Sequence, residues 1–417
     1  MRILNLTPQT ETNLMRMRQG QDRHAQRVAA HIVADVRKHG DIALGKWSHK
    51  LDGLDIRGQR LWITRREIAA AAKRVDRSFR RAVEHAAANV RRVAQKQLPV
   101  AWSLQVEPGV TIAQMVRPIE AIGCYIPGGR FSLFSTLLMT VVPAQVAGAA
   151  CIVVVCPRAN DELLAAAHLL GITHIARIGG AQAIAALAYG TKRIAPVEKI
   201  FGPGNRYVTA AKQLVSSDCA IDLPAGPTEA VVLARSGNPR WIAADLLAQG
   251  EHAPDAGSYL VTSSARLAQQ VQAEVTAQLK SLPKNNPAHT SSEKSGAILL
   301  ARSWDHAIAF VNRFAPEHLS LPEGPATLLN KIKASGTIFT GHLSAQSFGD
   351  YASGSNHVLP TAGWARRRAG LSVSDFVKQI TVQTITSAGF HRLANHVQLM
   401  ARAEGLLAHA NAIEVRR

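Results

Sequence analysis

Apolar side chains recur at helical spacing through most of the first hundred residues. Between residues 21 and 38 the valines and one isoleucine fall on one side of a helix, and Gly40 follows as a stop signal. The same spacing predicts helices at 65–73 and 77–97. Pro99 lies just beyond the last of these and disfavours its continuation. This part of the chain is therefore predicted to be helical.

From residue 110 onward, short runs rich in Val and Ile alternate with Gly-rich turns and helical stretches. Strands are predicted at 119–124, 151–155, 174–178 and 199–201, and again at 230–233, 258–261, 296–300 and 336–339. This alternation is typical of open parallel sheets with helices on both faces, so we predict an α/β fold. The tail after Leu371 is expected to be mainly helical as far as Ala410.

Residues 131–157 carry no charged side chain, and a stretch of this length raises the alternative of a transmembrane helix. Pro143, Gln145 and Gly148 interrupt it, and its first third is rich in Ser and Thr. We therefore expect no membrane span here. A helix followed by a buried parallel strand that ends at Pro157 accounts for the pattern better.

The chain has 417 residues, of which 47% are hydrophobic, so a globular protein of two or three domains is expected. Its formal net charge is +19, and residues 1–100 contain 21 Lys or Arg against 9 Asp or Glu. One interpretation is a nucleic-acid-binding face, and the other is the solvated side of amphipathic helices. We favour the second, because the sequence has neither zinc-knuckle spacing nor an aromatic platform for bases.

The four cysteines are Cys124, Cys151, Cys156 and Cys219, and none forms a CxxC pair. They are expected to be buried free thiols of a reducing compartment. The N-terminus shows no signal-peptide core. These observations predict a cytoplasmic protein.

Two Gly-rich loops lie between a predicted strand and a predicted helix. They are Gly179-Gly180-Ala181-Gln182 and Gly202-Pro203-Gly204-Asn205. Backbone N–H groups at such a helix start can face a phosphate. A complete GxGxxG fingerprint is absent, so each loop taken alone fits a tight turn as well as a cofactor site.

Glu317 and His318 form an adjacent acid/base pair within Ala315-Pro316-Glu317-His318-Leu319, on a predicted short turn between apolar runs. A carboxylate beside an imidazole is suited to proton transfer. The pair gains weight from polar clusters elsewhere in the chain. Together they indicate a metal-assisted enzyme with a separate proton acceptor.

Those clusters supply candidate metal ligands. Gln249 and His252 are three residues apart on a helix predicted at 241–252, so both can reach one ion. Asp350 follows Gly349 and precedes a Gly-rich turn, and His409 follows Glu404 by five residues on a late helix. The alternatives are a helix-capping His, a turn-forming Asp and an exposed surface His.

Several segments match the histidinol dehydrogenase family in order and spacing, over nearly the whole chain. The matching segments are 125–129 (YIPGG), 179–183 (GGAQA), 201–205 (FGPGN), 224–229 (PAGPTE), 247–252 (LAQGEH), 315–319 (APEHL) and 349–361 (GDYASGSNHVLPT). The chain thus resembles a family of zinc- and NAD-dependent enzymes that oxidise L-histidinol to L-histidine in two steps through an aldehyde.

The resemblance implies a role for each matched residue. His318 would be the base and Glu317 would activate water for the second oxidation. The remaining assignments are zinc ligands, substrate-binding groups and NAD-contacting groups. The implied zinc ligands, one zinc per subunit, are Gln249, His252, Asp350 and His409, all of which also contact substrate; Thr228, His318 and Glu404 would bind substrate, and Tyr125, Gln182 and Asn205 would contact NAD.

The resemblance also implies two incomplete Rossmann-like domains with helical N- and C-terminal extensions that embrace a second subunit. Residues 22–124 with 228–371 would form one α/β domain carrying most catalytic and zinc residues, and 125–227 the cofactor-side domain. Residues 1–21 would be an N-terminal extension and 372–417 a helical tail. That tail would carry Glu404 and His409 into the partner's active site, giving a homodimer with shared sites.

The chain departs from the family pattern at a few positions. Thr228 replaces a Ser, Gln346 stands where Glu is frequent, Arg130-Phe131 stands where small residues are usual, and the N-terminal region is unusually basic. The alternative substrate is therefore another small polar amino or sulfonated alcohol, oxidised by a related zinc- and NAD-dependent dehydrogenase.

Overall fold

A computed structural model describes residues 1–18, 22–56, 61–128, 132–223, 226–324 and 326–417. Their strands form three sheets. The strands are β1 Arg2–Asn5, β2 Trp102–Glu107, β3 Val110–Pro118, β4 Ala121–Tyr125, β5 Cys151–Val155, β6 Ile175–Ala176, β7 Lys199–Phe201, β8 Ala220–Ile221, β9 Glu229–Leu233, β10 Gly257–Thr262, β11 Ala297–Leu300, β12 His318–Leu321, β13 Thr337–Thr340 and β14 Val377–Ile385.

Helices surround the two larger sheets. The α-helices are α1 Pro8–Arg18, α2 Arg23–His39, α3 Asp41–Asp52, α4 Arg65–Arg74, α5 Arg77–Gln97, α6 Phe134–Ala147, α7 Asp161–Leu169, α8 Gly180–Tyr189, α9 Arg206–Val215, α10 Pro239–Gly250, α11 Ala265–Leu279, α12 Pro287–Lys294, α13 Trp304–Phe314, α14 Ala326–Leu329, α15 Gln346–Tyr351, α16 Ser387–Ala403 and α17 Leu407–Glu414. Short 3₁₀ helices span Trp364–Arg366 and Val373–Phe376.

The larger sheet has the order β1-β11-β10-β9-β12-β13, and all of its pairings are parallel. Helices α1 and α13 cover one face, while α10 and α11 cover the other. Both faces are therefore buried, as an all-parallel sheet requires. The strands predicted for this region at 230–233, 258–261, 296–300 and 336–339 are all present, within one residue at each end.

The second parallel sheet has the order β6-β5-β4-β7-β8. Its first strand in the chain, β4, is central, and successive strands run outward first on one side and then on the other. This is the order of a nucleotide-binding α/β half. The crevice between the carboxyl ends of β4 and β7 is its topological switch point. Together the two sheets confirm the predicted α/β fold with parallel sheets flanked by helices.

Helices α2 to α5 pack on the five-stranded sheet, which differs from the expected grouping of residues 22–124 with 228–371. Apolar side chains of α2 and α3 cover one face of this sheet, and those of α4 and α5 share the core on the other face. Helical periodicity shows that a face is buried but does not show against which sheet. Helices α2 to α5 therefore pack with residues 125–227, around the five-stranded sheet.

The chain termini contain two strands that the sequence pattern missed. β1 pairs with β11 at the edge of the larger sheet. The first residues of the expected N-terminal extension are therefore part of that sheet. β14 pairs antiparallel with β3, which also pairs with β2. The start of the tail is thus a strand rather than a helix. Seven of the nine β14 residues are exposed, and the strand lacks the apolar alternation that marks a half-buried strand.

The uncharged stretch forms α6 and β5, as expected from its pattern, and Pro143 lies inside the helix. Phe131 lies outside the described residues. Among the helices that the structure describes, none has the length and apolar character needed to cross a membrane. All four cysteines are free, as expected, but Cys151 at the start of β5 is exposed rather than buried.

A buried ion pair holds the loop that follows β7. Lys212 of α9 is 2% exposed and contacts Asp222 and the carbonyl of Gly202, the latter at 2.9 Å. The second carboxylate oxygen of Asp222 accepts from the Gly202 N–H at 2.7 Å. Gly202 has φ +112°, and a Cβ there would collide with the carbonyl oxygen of Tyr125. The pair therefore secures a backbone turn that suits only glycine.

Replacing Lys212 with Met should destabilise the protein by about 3–5 kcal/mol, because Asp222 would remain as an unpaired buried carboxylate. Urea unfolding followed by circular dichroism would measure the loss. Lys192→Met, at an exposed loop position, is the matched control and should change the free energy of unfolding little. Equal stability of the two variants would contradict a structural role for the pair.

Candidate active site

A cleft of about 1290 Å³ brings many of the candidate residues together. It is lined by groups that follow the carboxyl ends of β4 and β7 and by groups at the amino ends of β9 and β12. Its lining includes Asn205, Thr228, His252, Glu317, His318 and Asp350. The catalytic candidates thus lie at the amino edge of the six-stranded sheet, facing the crevice of the other sheet.

Glu317 is buried immediately before β12, and its carboxylate is held by two donors. Oε2 accepts from the Thr228 hydroxyl at 2.6 Å and from the Glu229 N–H at 2.9 Å. Burial raises the pKa of Glu317, outweighing the charge of His318 and these hydrogen bonds. A carboxylate with a raised pKa is a stronger base than one in water.

His318 is the first residue of β12, and its ring is also buried. Nδ1 lies 3.2 Å from the carbonyl oxygen of Glu229. Because a carbonyl can only accept, Nδ1 carries the proton and a neutral ring keeps its lone pair on Nε2. Nε2 has no hydrogen-bond partner and lies 3.7 Å from an Asp350 oxygen.

The pKa of His318 reflects opposing influences. Burial lowers it, but the carboxylates of Glu317 and Asp350 together outweigh burial, so the pKa is raised above its ordinary value. A raised pKa makes Nε2 a better proton acceptor. Both members of the predicted acid/base pair are therefore buried beside the cleft.

Gln249 is fully buried at the end of α10, within a directional chain of hydrogen bonds. The Gln346 amide donates to its Oε1 at 2.5 Å, and its own Nε2 donates to the Thr228 hydroxyl at 2.8 Å. Thr228 in turn donates to Glu317. This chain turns the Gln249 oxygen towards α15, which also carries Asp350.

His252 lies two residues beyond the end of α10, because the helix predicted at 241–252 begins and ends two residues earlier in the structure. Its Nδ1 lies 3.1 Å from the carbonyl of Ala248. Burial raises the pKa of Asp350, but the His318 ring beside it and the charges of His318, His357 and His252 outweigh burial, so the pKa is lowered. Gln249, His252 and Asp350 thus converge on one region and offer an amide oxygen, an imidazole and a carboxylate, donors that suit zinc.

The fourth predicted ligand lies elsewhere in the chain. Glu404 caps the end of α16, His409 lies on α17, and both are exposed and absent from the cleft lining. Across the part of the chain that the structure describes, no three His, Cys, Asp or Glu side chains are gathered to hold a metal. A single chain therefore brings together three of the four predicted ligands.

The predicted cofactor-contacting residues lie beside the switch point of the five-stranded sheet. Tyr125 ends β4, and its hydroxyl accepts from the Gly180 N–H at 3.2 Å. The Gln182 amide donates to Asp52 at 2.9 Å, while its Oε1 is buried without a partner. Asn205 caps α9 and lines the cleft. The unsatisfied amide oxygen of Gln182 can accept a hydrogen bond from a ligand hydroxyl, and the start of α8 at Gly179, which has no side-chain cap, suits a phosphate.

Sequence patterns gave no role to several residues at this site. Arg18 forms a buried ion pair with Glu229, and His357 bridges Thr136 and the carbonyl of Asp350. Glu229 and His357 fell within matched segments, but no sequence signal marked Arg18 within the expected N-terminal extension. Arg130-Phe131, Gly129 and Pro224-Ala225, which entered the motif comparison, lie outside the described residues.

The sequence comparisons agree with this arrangement. A family model described as histidinol dehydrogenase matches residues 15–417. A histidinol dehydrogenase of Methanothermobacter thermautotrophicus is 44% identical over 394 residues, covering 93% of this chain and 92% of that protein. One from Geobacillus kaustophilus is 43% identical, covering 94% and 93% respectively.

A solved structure is equally similar in fold. The crystal structure of histidinol dehydrogenase from Elizabethkingia anophelis superposes with a TM-score of 0.94 at 38% identity. The match covers 100% of this chain and 98% of that one. The chain therefore belongs to the histidinol dehydrogenase family of oxidoreductases.

Proposed function

We propose that this enzyme oxidises L-histidinol to L-histidine through L-histidinal, in two successive NAD-dependent steps with a zinc ion at the substrate site. The observation that carries the proposal is the free Nε2 of His318, buried beside the cleft with its tautomer set by the Glu229 carbonyl. This base lies next to a second one, Glu317, which a two-step oxidation can use.

In the first step His318 Nε2 accepts the proton of the substrate hydroxyl while a hydride passes from the same carbon to NAD, leaving an aldehyde. In the second step Glu317 takes a proton from water as the water adds to the aldehyde, and the protonated His318 returns its proton to the aldehyde oxygen, which gives the hydrate and a neutral His318. His318 then accepts a proton from the resulting hydrate as its carbon gives a second hydride to NAD. Burial of both groups keeps bulk water from competing.

The zinc would be held by Gln249, His252 and Asp350 of one chain and by His409. Zinc at this position would anchor and orient the substrate. The hydrogen bonds of Gln346 and Thr228 to Gln249 set which amide atom is available to the ion. Thr228 and Glu404 would bind polar groups of the substrate.

NAD would bind at the switch point of the five-stranded sheet, beside Tyr125, Gln182 and Asn205. Parallel sheets of this order bind nucleotides in the crevice at the carboxyl ends of their strands. The cleft extends from Asn205 to His318, so a cofactor in the crevice and a substrate beside the base would share one space.

The active site would be completed by a second subunit, in a homodimer. The tail displays apolar side chains that a monomer would leave in water, and such patches mark interaction surfaces. They are Leu399 at 67% exposure, Met400 at 67% and Leu407 at 70%. Glu404 and His409 lie on the same segment, so docking of the tail on a partner would deliver both groups to the partner's cleft.

We place the enzyme in the cytoplasm, where its four free cysteines would remain reduced.

The proposal predicts two NADH per molecule of L-histidinol when the zinc-loaded protein runs the reaction to completion with excess NAD. Each two-electron oxidation releases one hydride to the cofactor. Absorbance at the NADH band measures the yield, and a chelator should abolish the reaction by removing zinc. Adding zinc back should restore it.

Absence of NADH from folded, zinc-containing protein would contradict the assigned substrate. Another small polar amino or sulfonated alcohol would then be favoured. Gln346 supports that second candidate, because an uncharged amide bonded to Gln249 stands where a carboxylate would attract a substrate amine. A panel of such alcohols distinguishes the two.

A further inference from the structure

We propose that Arg18 is a positioning residue for the acid/base pair, acting through Glu229. This inference rests on the proposed function of Glu317 and His318 and adds to it a residue from the first helix. Arg18 lines the same cleft, and its side chain and that of Glu229 are both more than nine-tenths buried.

The guanidinium of Arg18 makes a complete set of contacts. Its Nε donates to Glu229 Oε2 at 2.6 Å and Nη2 donates to the other oxygen, a bidentate pairing. Nη1 donates to the carbonyl of Phe314 at 2.5 Å, and Nη2 also reaches the carbonyl of Ala315 at 3.4 Å. The guanidinium lies 3.6 Å from the centre of the Phe314 ring. One side chain thus joins α1 to β9 and to the end of α13.

The backbone of Glu229 in turn holds both catalytic side chains. Its N–H donates to Glu317 Oε2 at 2.9 Å, and its carbonyl accepts from His318 Nδ1 at 3.2 Å. The second contact sets the His318 tautomer and leaves Nε2 free. A shift of Glu229 would therefore misplace the carboxylate and the imidazole together.

The turn that leads into the catalytic pair depends on the same guanidinium. Ala315 ends α13 with φ +50°, a conformation that non-glycine residues adopt at a cost. Its carbonyl and that of Phe314 accept hydrogen bonds from Arg18, whose positive charge suits a helix C-terminus. Arg18 thus supports the residue two positions before Glu317 as well as the strand beside it.

The positive charge of Arg18 also compensates the negative charge of Glu229. Glu229, Glu317 and Asp350 are three largely buried carboxylates within one region, and Arg18 is the arginine that pairs with one of them. Without it, Glu229 would be an uncompensated buried charge close to Glu317, and its side chain would be driven to move or to become neutral. Lys cannot replace the bidentate fork.

The test compares Arg18→Met with wild type in the zinc-loaded enzyme. We expect kcat to fall about 10- to 100-fold, with KM for L-histidinol changed by less than about threefold, because binding groups stay and the base moves. Guanidinium chloride at millimolar concentration should recover several-fold of the lost kcat by occupying the vacated site. Arg18→Lys should lie between wild type and Arg18→Met.

Two further variants separate positioning from stability. Arg313 also ties α1 to α13, through Glu11 at 2.8 Å, so Arg313→Met loosens the same helix without touching Glu229 and should leave kcat unchanged. Should Arg18→Met fold poorly, Arg18→Met with Glu229→Gln carries no unpaired buried charge. That double variant should fold, and its kcat should remain low.

Wild-type kcat in Arg18→Met, or an equal loss in Arg313→Met, would overturn the proposal. So would failure of guanidinium to raise kcat of a folded Arg18→Met enzyme. Inactivity of wild-type enzyme with L-histidinol would instead contradict the proposed function, so the two failures are distinguishable.

Discussion

Replacing His318 with Asn should lower kcat by about 100- to 10,000-fold, the range typical for loss of a general base. An Asn amide can still donate to the Glu229 carbonyl, so the site should keep its shape while losing the free Nε2. Zinc content should stay near that of wild type, because His318 is not a proposed ligand. Steady-state NADH formation and metal analysis of the same sample measure the two quantities.

His306→Asn provides a matched control for this prediction. His306 lies on α13 and contacts Glu11 at 3.3 Å, away from the cleft. This variant should turn over at nearly the wild-type rate. Near-normal turnover of His318→Asn would remove His318 from the mechanism, and loss of its zinc would mean that the residue supports the metal site instead.

Mixing two inactive variants should restore activity if the tail completes a partner's site. His409→Ala should lose zinc and activity alone, and His318→Asn should be inactive alone. In a mixed dimer, one site combines the His318 of one subunit with the His409 of the other. Random exchange makes half the dimers mixed with one of two sites intact, so about one quarter of the wild-type rate is expected.

The control for the mixing experiment pairs His318→Asn with Asp350→Ala. Both residues line the cleft of one chain, so every site in that mixed dimer lacks one of them and no activity should return. Zinc retained by His409→Ala, or no recovery on mixing with His318→Asn after verified subunit exchange, would contradict a shared site.

The sequence by itself determined most regular elements of the two parallel domains. Helices α4 and α5 end within one residue of their expected positions, and β5 and β7 match at both ends. These elements are long amphipathic helices or short apolar strands between turn residues. Their pattern is local, because burial of one face imposes a period that can be detected along the chain.

The sequence also predicted an acid/base pair and four zinc ligands, of which the structure places Gln249, His252 and Asp350 in one region. Motif order carried that prediction, since residues about 100 positions apart, such as Gln249 and Asp350, share no local signal of contact. The functional roles of these residues stay predictions. The structure adds that Gln249 and Asp350 approach the same region through Gln346.

Only the tertiary structure decided how the elements associate. The exposed β14 gave no alternating pattern, and it is a strand because β3 offers nine residues to pair with. By their apolar pattern the helices between residues 23 and 97 could cover either sheet, and in the structure they pack on the five-stranded one. In the sequence, Arg18 has no feature that distinguishes it from a surface arginine. Its partner, Glu229, lies 211 residues away along the chain. Long-range contacts of this kind are absent from local periodicity because they depend on the whole packed chain.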